Sequence, residues 1–332
     1  MGKMKIIVDK KGLLKFIDSI RKKYRLIAPV QKDEGLFFDA VSNTSKIVFD
    51  YINPKNTAKE FFFPIKDPIL RYDSDSIEEV KKSKENIAIF GIRPCDARAL
   101  SVMDKVFNWD TKDGLYDNRR KNALLIGFGC NKAGDHCFCT SFGYGPHESK
   151  DVDVMVYQLG KDEFMVLGVS KRGVGCVVSG KKASPVHESR RKELEKGIVF
   201  KKKMDVDKVY KKLDTVFDSD YWTGASFHCI GCGTCTFLCP SCHCFCMSDE
   251  RNIRYRIWDS CQFACFTKHT SGHNPRPTQR ERYRQRVYHK FSYYKKNFGE
   301  HLCVGCGRCT LHCPMKVDIF SIANGTLDIN EK

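Results

Sequence analysis

Cysteine supplies most of the chemistry open to this chain, at 18 of 332 residues. Eight of these fall into two copies of one spacing. The first copy is Cys229, Cys232, Cys235 and Cys239, followed by Pro240. The second is Cys303, Cys306, Cys309 and Cys313, followed by Pro314. Both read C-x2-C-x2-C-x3-C-P, a spacing whose thiolates ligate 4Fe–4S clusters. Three closely spaced cysteines can wrap a tight loop around one face of a cubane. Gly231, Gly233, Gly305 and Gly307 let the backbone approach the sulfides and donate N–H bonds. The fourth cysteine starts a helix and points away from its own loop, and the proline after it stops the chain folding back.

In two-cluster ferredoxins of this pattern, the fourth cysteine of each run serves the other cluster. The expected sets are therefore crossed. One cluster takes Cys229, Cys232, Cys235 and Cys313, and the other takes Cys239, Cys303, Cys306 and Cys309. Zinc ribbons use two C-x2-C pairs rather than a triple followed by C-x3-C-P, so zinc is the weaker reading.

A long insert, 241–302, separates the two runs. It holds Cys242, Cys244, Cys246, Cys261 and Cys265. Its second half, Thr278–Phe298, is basic and aromatic, with Arg280, Arg282, Arg284 and Arg286 among Tyr283, Tyr288, Tyr293 and Tyr294. A helical surface that docks a partner or shields a cluster is expected there. RNA binding is the weaker alternative, because no nucleic-acid fold motif accompanies the charge.

The block Arg254-Tyr255-Arg256-Ile257-Trp258-Asp259-Ser260-Cys261 resembles one beside the ferredoxin motif of a known family. So do Gly272-His273-Asn274-Pro275-Arg276-Pro277, Arg284-Gln285-Arg286 and His289-Lys290-Phe291. Upstream, Gly91-Ile92-Arg93-Pro94-Cys95-Asp96 and Gly129-Cys130-Asn131 are similar to blocks of the same family. Its members are the iron–sulfur (beta) subunits of cytosolic sulfhydrogenases and the iron–sulfur subunits of anaerobic sulfite reductases. The resemblance spans roughly residues 85–320. It implies an electron-transfer subunit between a flavoprotein that meets NAD(P)H and a catalytic subunit holding NiFe or sirohaem. Cys246 and Cys265 depart from the family's pattern and are read as incidental.

Cys95, Cys130, Cys137 and Cys139 are the cysteines of the first 170 residues. Cys95 follows the strand-like run Asn86–Ile92, and Cys130 follows Ala123–Phe128. Adjacent parallel strands would bring their C-terminal ends together, where α/β folds place ligands. His136-Cys137-Phe138-Cys139 adds two thiols from a glycine-bearing loop. With the family resemblance, the four point to a third 4Fe–4S cluster; zinc on the same ligands and buried free thiols are the alternatives. Cys242, Cys244 and Cys261 do not complete a cubane and are expected to pack near the ferredoxin clusters. Cys176 stands alone and reads as structural.

The elements that must position these thiols are legible in part. Lys5–Val8, Leu26–Val30, Leu36–Ala40 and Ile47–Tyr51 read as short strands, and Lys11–Tyr24 has helical spacing. Phe61–Pro64 and Pro68–Leu70 look irregular, and Ser76–Ser83 looks helical. Pro94 stands at a helix start, between the strands Asn86–Ile92 and Ala123–Phe128, which makes one parallel βαβ unit. Val152–Gln158 and Glu163–Val169 suggest a hairpin. The charged stretches Ser184–Lys196 and Asp205–Phe217 read as helices. The expected fold is an α/β N-terminal domain with a mixed sheet, then a mostly α-helical domain containing a split two-cluster ferredoxin-like module. Its bounds are 1–183 for the α/β domain, 184–217 for a helical connector and 218–332 for the cluster domain.

The formal net charge is +17. Each cluster with four thiolates carries a charge of about 2−, so three clusters would remove about six units of that excess. Short apolar runs and an N-terminus without an apolar leader point to a cytoplasmic protein, since a spanning helix needs roughly 20 apolar residues. No Gly-x-Gly-x-x-Gly follows a strand, so neither flavin nor NAD is expected on this chain. The leading function is an electron-relay subunit without a catalytic centre. Its expected partners are a flavin-containing, NAD(P)H-linked subunit, plus a catalytic metalloenzyme subunit of hydrogenase or sulfite-reductase type. The alternative is a stand-alone iron–sulfur reductase acting on a sulfur or small inorganic substrate.

Overall fold

The computed structural model describes residues 4–177 and 179–330. Met1–Lys3, on which the reading of the N-terminus partly rests, lie outside the described residues. The first part of the chain runs β1 (Lys5–Val8), α1 (Lys10–Arg21), β2 (Arg25–Lys32), β3 (Gly35–Ala40), β4 (Lys66–Tyr72), β5 (Ile77–Glu79), β6 (Ile87–Ile92), α2 (Pro94–Phe107), α3 (Gly114–Lys121) and β7 (Ala123–Phe128). It continues with β8 (Val154–Gly160), β9 (Glu163–Gly168), α4 (Lys171–Cys176), β10 (Lys181–Lys182), α5 (Pro185–Lys196) and α6 (Val206–Leu213). The remainder holds α7 (Tyr221–Ser226), α8 (Thr234–Phe237), β11 (Phe245–Glu250), β12 (Ile253–Trp258), α9 (Gln279–Tyr288), α10 (Tyr294–Phe298), α11 (Arg308–Leu311) and α12 (Ile319–Gly325).

The main sheet has eight strands in the order β10-β1-β9-β8-β7-β6-β2-β3. Its centre is parallel, β2 with β6, β6 with β7 and β7 with β8. Antiparallel pairs close both sides. Every residue of β6 and β7 is buried. That is why both read as continuous apolar runs rather than alternating ones. Leu13, Ile17 and Ile20 of α1 cover one face. Ala97, Leu100 and Met103 of α2 cover the other. Pro94 opens α2, its fixed φ suited to the first turn. The βαβ unit therefore ends both central strands at the same edge of the sheet.

A second sheet, in the order β11-β12-β4-β5, joins the two ends of the sequence. It corrects three sequence expectations. Pro68–Leu70 lies inside β4, paired across a bulge with β12 of the insert. Ser76–Ser83 is not helical; Ile77–Glu79 forms the edge strand β5. The cluster domain, expected to be mostly helical, also contributes the β11–β12 hairpin, while the expected helix of Thr278–Phe298 is present. These strands owe their existence to pairing between remote segments, which no local pattern announces. Ile47–Tyr51 is also not a strand: Ile47 makes a single bridge to Val30.

Buried charges fasten this second sheet. Arg256 of β12 donates to Asp67 of β4 at 2.7 Å and also pairs with Asp113. Arg119 of α3 donates to the same Asp67 carboxylate at 3.0 Å. Trp258 Nε1 donates to Phe63 O at 2.9 Å.

The helical part packs around Trp222, Tyr283, Val287, Tyr288 and Phe291, with Leu213 and Ile319. Between α9 and α10 the helix passes through a π turn, His289–Tyr293. The two charged stretches part company: α5 lies beside β8, whereas α6 joins the helical core.

Candidate iron–sulfur sites

The two cysteine runs fold alike. In each, the glycines on either side of the second cysteine take positive φ: +68° and +76° at Gly231 and Gly233, +64° and +76° at Gly305 and Gly307. A side chain disfavours that backbone region, and glycine adopts it freely. The short helices α8 and α11 follow and hold Cys235 and Cys309; Cys239 and Cys313 come after them, so the fourth cysteine follows a helix rather than starting one.

Cys229, Cys232, Cys235 and Cys313 all line one cavity, together with Cys309. Cys239, Cys303, Cys306 and Cys309 line a second. Each crossed set thus stands around a space of its own. Among the described residues, no three His, Cys, Asp or Glu side chains close on a single metal-ion position. Four thiols around a cavity, with N–H donors nearby, fit a cubane, whose irons take thiolates and whose sulfurs accept hydrogen bonds.

Donors from the insert point at both sets. At the start of α9, Gln279 Nε2 donates to Cys229 Sγ at 3.2 Å. In the π turn, Lys290 Nζ donates to Cys239 Sγ at 3.1 Å. Arg286 Nη2 donates to Cys235 O at 2.9 Å. Burial pulls the Lys290 ammonium down, but the sulfurs of Cys239 and Cys242 outweigh it and hold its pKa above the usual lysine range. Burial pushes the Cys235 and Cys303 thiols up to about 12. Such thiols stay protonated unless a metal replaces the proton, which ties cluster loading to their ionisation. The insert's basic helix therefore faces inward. Tyr283, Arg286, Val287, Tyr288, Lys290 and Phe291 are all buried.

Cys95 lies in the first turn of α2, and Cys130 follows β7. Cys139 sits within electrostatic reach of Cys130 and Cys137, and Cys95 within reach of Cys139. Burial is the largest cause that raises all four thiols. Arg93 braces this corner, its Nη1 donating to Gly129 O at 2.8 Å while its guanidinium lies 3.9 Å from the centre of the Tyr51 ring.

The 136–139 loop rests directly on the second ferredoxin run. Phe138 N donates to Gly305 O at 2.9 Å. Cys95, Tyr144, Val304 and Cys306 belong to one buried cluster, with Cys139 packed against it.

The other cysteines divide. Cys242 and Cys261 are buried, Cys244 is half-buried, and Cys246 and Cys265 are exposed. Cys242 contacts Cys239, and Cys244 contacts Cys261. Cys176 packs beside the sheet's core at the end of α4. Sequence reasoning gave no role at the thiols to Lys59, Gln279, Lys290 or Arg308, all of which face thiols here. No spacing marks one lysine among many as the buried one.

Residues 228–317 match the family described as a 4Fe–4S dicluster domain. The chain is similar to sulfhydrogenase 2 subunit beta of Pyrococcus furiosus, with 28% identity over 314 residues, covering 91% of this chain and 92% of that protein. No solved structure matches. Among the described residues, no helix is long and apolar enough to cross a membrane. The chain is a homologue of a sulfhydrogenase iron–sulfur beta subunit, and it is an iron–sulfur electron-transfer chain.

Proposed function

We propose that this homologue of a sulfhydrogenase beta subunit is a relay of three 4Fe–4S clusters in a multi-subunit oxidoreductase. Cys229, Cys232, Cys235 and Cys313 hold the first cluster. Cys239, Cys303, Cys306 and Cys309 hold the second, and Cys95, Cys130, Cys137 and Cys139 the third. Bound clusters supply one-electron carriers. The protein supplies spacing, burial and N–H donors, which set the potentials.

The observation that carries this reading is the contact between the third thiol set and the second run. Cys95 and Cys306 share one buried cluster, and Cys309 lines both ferredoxin cavities. The three sets therefore form a line, third to second to first.

The far end of that line opens to solvent. Cys232 is exposed. Near it Ile230 is 63% exposed and Met315 42%. An apolar rim beside an exposed ligand suits docking of a second redox subunit. The partners in this reading are a flavin-containing, NAD(P)H-linked subunit, plus a catalytic metalloenzyme subunit, all cytoplasmic. This chain's residues bind no flavin and perform no turnover.

The test is iron and acid-labile sulfide on anaerobically purified protein. About twelve irons per chain support three clusters, and about eight remove the third. Dithionite should bleach the visible absorbance, whereas the isolated chain should not oxidise NAD(P)H. Rapid NAD(P)H oxidation by this chain alone would overturn the relay.

A further inference from the structure

Three thiols outside the proposed cluster sets meet at the foot of the insert hairpin. β11 and β12 pair Phe245 with Trp258, and Asp259 N donates to Cys244 O at 3.0 Å. Residues 242–244 are thereby clamped beside 259–261. The clamp sets the free thiols of Cys244 and Cys261 against each other, close enough that each shifts the other's ionisation. Gln262 Nε2 donates to Cys261 Sγ at 3.4 Å. Arg286 Nη1 donates to Cys242 Sγ at 3.6 Å.

Charge marks this as more than packing. Lys59, Arg286 and Lys290 are each about 2% exposed. Among the described residues, none of the three pairs with a carboxylate. Lys59 Nζ donates to Cys242 O at 3.0 Å and lies 3.7 Å from the centre of the Trp258 ring. Its nearest opposing groups are the sulfurs of Cys242, Cys239 and Cys244. Buried cations are costly unless anionic groups face them; Lys290 and Arg286 face the proposed ligands Cys239 and Cys235 as well as these thiols. Of the pair, Cys261 has Arg286 and Lys290 as cationic neighbours, the setting in which a thiol reacts as a thiolate.

The position is also specific. Cys261 is within electrostatic reach of Cys235, and Cys242 touches Cys239. Cys261 thus lies towards a ligand of the first proposed cluster, and Cys244 reaches a ligand of the second through Cys242.

We propose that Cys244 and Cys261 form a reversible dithiol–disulfide couple that exchanges two electrons with the ferredoxin pair. On oxidation, one S–S bond forms and two S–H bonds break. Two protons leave to water past the half-buried Cys244. The two electrons would leave singly to one-electron acceptors, which 4Fe–4S clusters held by Cys229, Cys232, Cys235 and Cys313 and by Cys239, Cys303, Cys306 and Cys309 would supply when bound. Reduction reverses each step. The couple lets one-electron carriers meet two-electron chemistry inside the relay, and it rests on the relay reading for its electron acceptors.

The experiment uses the intact, cluster-loaded chain poised anaerobically over a series of potentials. Each sample is quenched in acid, alkylated and analysed by peptide mass spectrometry, with visible absorbance recorded beforehand. The expected result is a Cys244–Cys261 linked peptide at high potential and two alkylated thiols at low potential. The interconversion should follow a two-electron Nernst curve, while the exposed Cys246 of β11 is alkylated throughout. Alkylation of both thiols at every potential, with cluster absorbance intact, overturns the couple alone. Absent cluster absorbance overturns the relay as well. Cys261→Ser should keep its iron. A folded variant that loses iron shows a cluster ligand instead, and that result also overturns the couple.

Discussion

Arg308 grips Asp96 through two hydrogen bonds, of 2.6 and 2.7 Å, with both side chains buried. Arg308 precedes Cys309, and Asp96 follows Cys95. The pair therefore fastens the second ferredoxin run to the third thiol set. Arg308 Nε also donates to Pro54 O at 2.8 Å, so its guanidinium is used on two sides. Removing one partner of a buried pair strands the other charge, at a cost of about 3–5 kcal/mol. Arg308→Ala should lower the unfolding free energy of the loaded protein by that amount in anaerobic denaturant titrations. A loss below about 1 kcal/mol, the range of an exposed pair, would show that the carboxylate finds another partner.

Lys290 should tune the second cluster. Its ammonium donates to Cys239 Sγ at 3.1 Å and to Ser241 Oγ at 2.9 Å. Reduction adds negative charge to a cluster, and a buried cation favours that state. Lys290→Met keeps the volume and removes the charge, so one potential should move negative. The shift should be on the order of 60 mV, the one-electron equivalent of about 1.4 kcal/mol. An EPR-monitored redox titration reads it, and an unmoved potential would place Lys290 outside the cluster's field.

The ligand runs were legible because their geometry is local: three cysteines and two glycines shape one loop whatever surrounds it. The β6–α2–β7 unit was legible for a similar reason, since β6 and β7 are buried on both faces and Pro94 marks the turn between strand and helix. The second sheet was not. Asp67 and Arg256 lie 189 positions apart, and Pro68 argues locally against a strand. The basic stretch of the insert read as a helical surface that docks a partner or shields a cluster, and periodicity alone does not choose between the two. Its π turn brings Lys290 onto sulfur, and π turns recur at functional sites. The buried role of Lys59 left no sequence mark at all.

Two half-buried histidines should make the protein acid-sensitive. The rings of His243 and His289 lie 5.4 Å apart, with Lys290 and other cations nearby. Burial lowers the pKa of His243 to about 4 and that of His289 to about 3, and neighbouring positive charge adds to the effect. The unfolded chain, with histidine near 6.5, binds more protons in between, so stability rises with pH across that window. It should be full above about pH 6.5 and fall as pH drops, by about 2 kcal/mol per histidine at pH 5. Comparing wild type with His289→Gln removes the acid lability that the clusters share. The variant should show the shallower slope in denaturant titrations from pH 7 to 5, and equal slopes would mean His289 titrates freely.

Gly305 and Gly231 occupy the same position in the two runs, yet substitution should affect them differently. Both have positive φ, +64° and +68°, so alanine at either strains the backbone by about 1–2 kcal/mol. Their surroundings differ. A Cβ on Gly305 would stand 2.6 Å from both the amide nitrogen of Cys139 and the carbonyl carbon of Phe138. That contact is backbone against backbone, and one loop must withdraw. A Cβ on Gly231 would meet the Gln279 side-chain oxygen at 3.0 Å, which can swing aside, and the Gln262 carbonyl oxygen at 3.3 Å. Gly305→Ala should therefore lift the 136–139 loop from the second run and drop iron from about twelve per chain towards about eight. Gly231→Ala should keep its iron. If both variants lose iron alike, the strain acts within each run, and the docking of the third thiol set on Gly305 is not what holds that cluster.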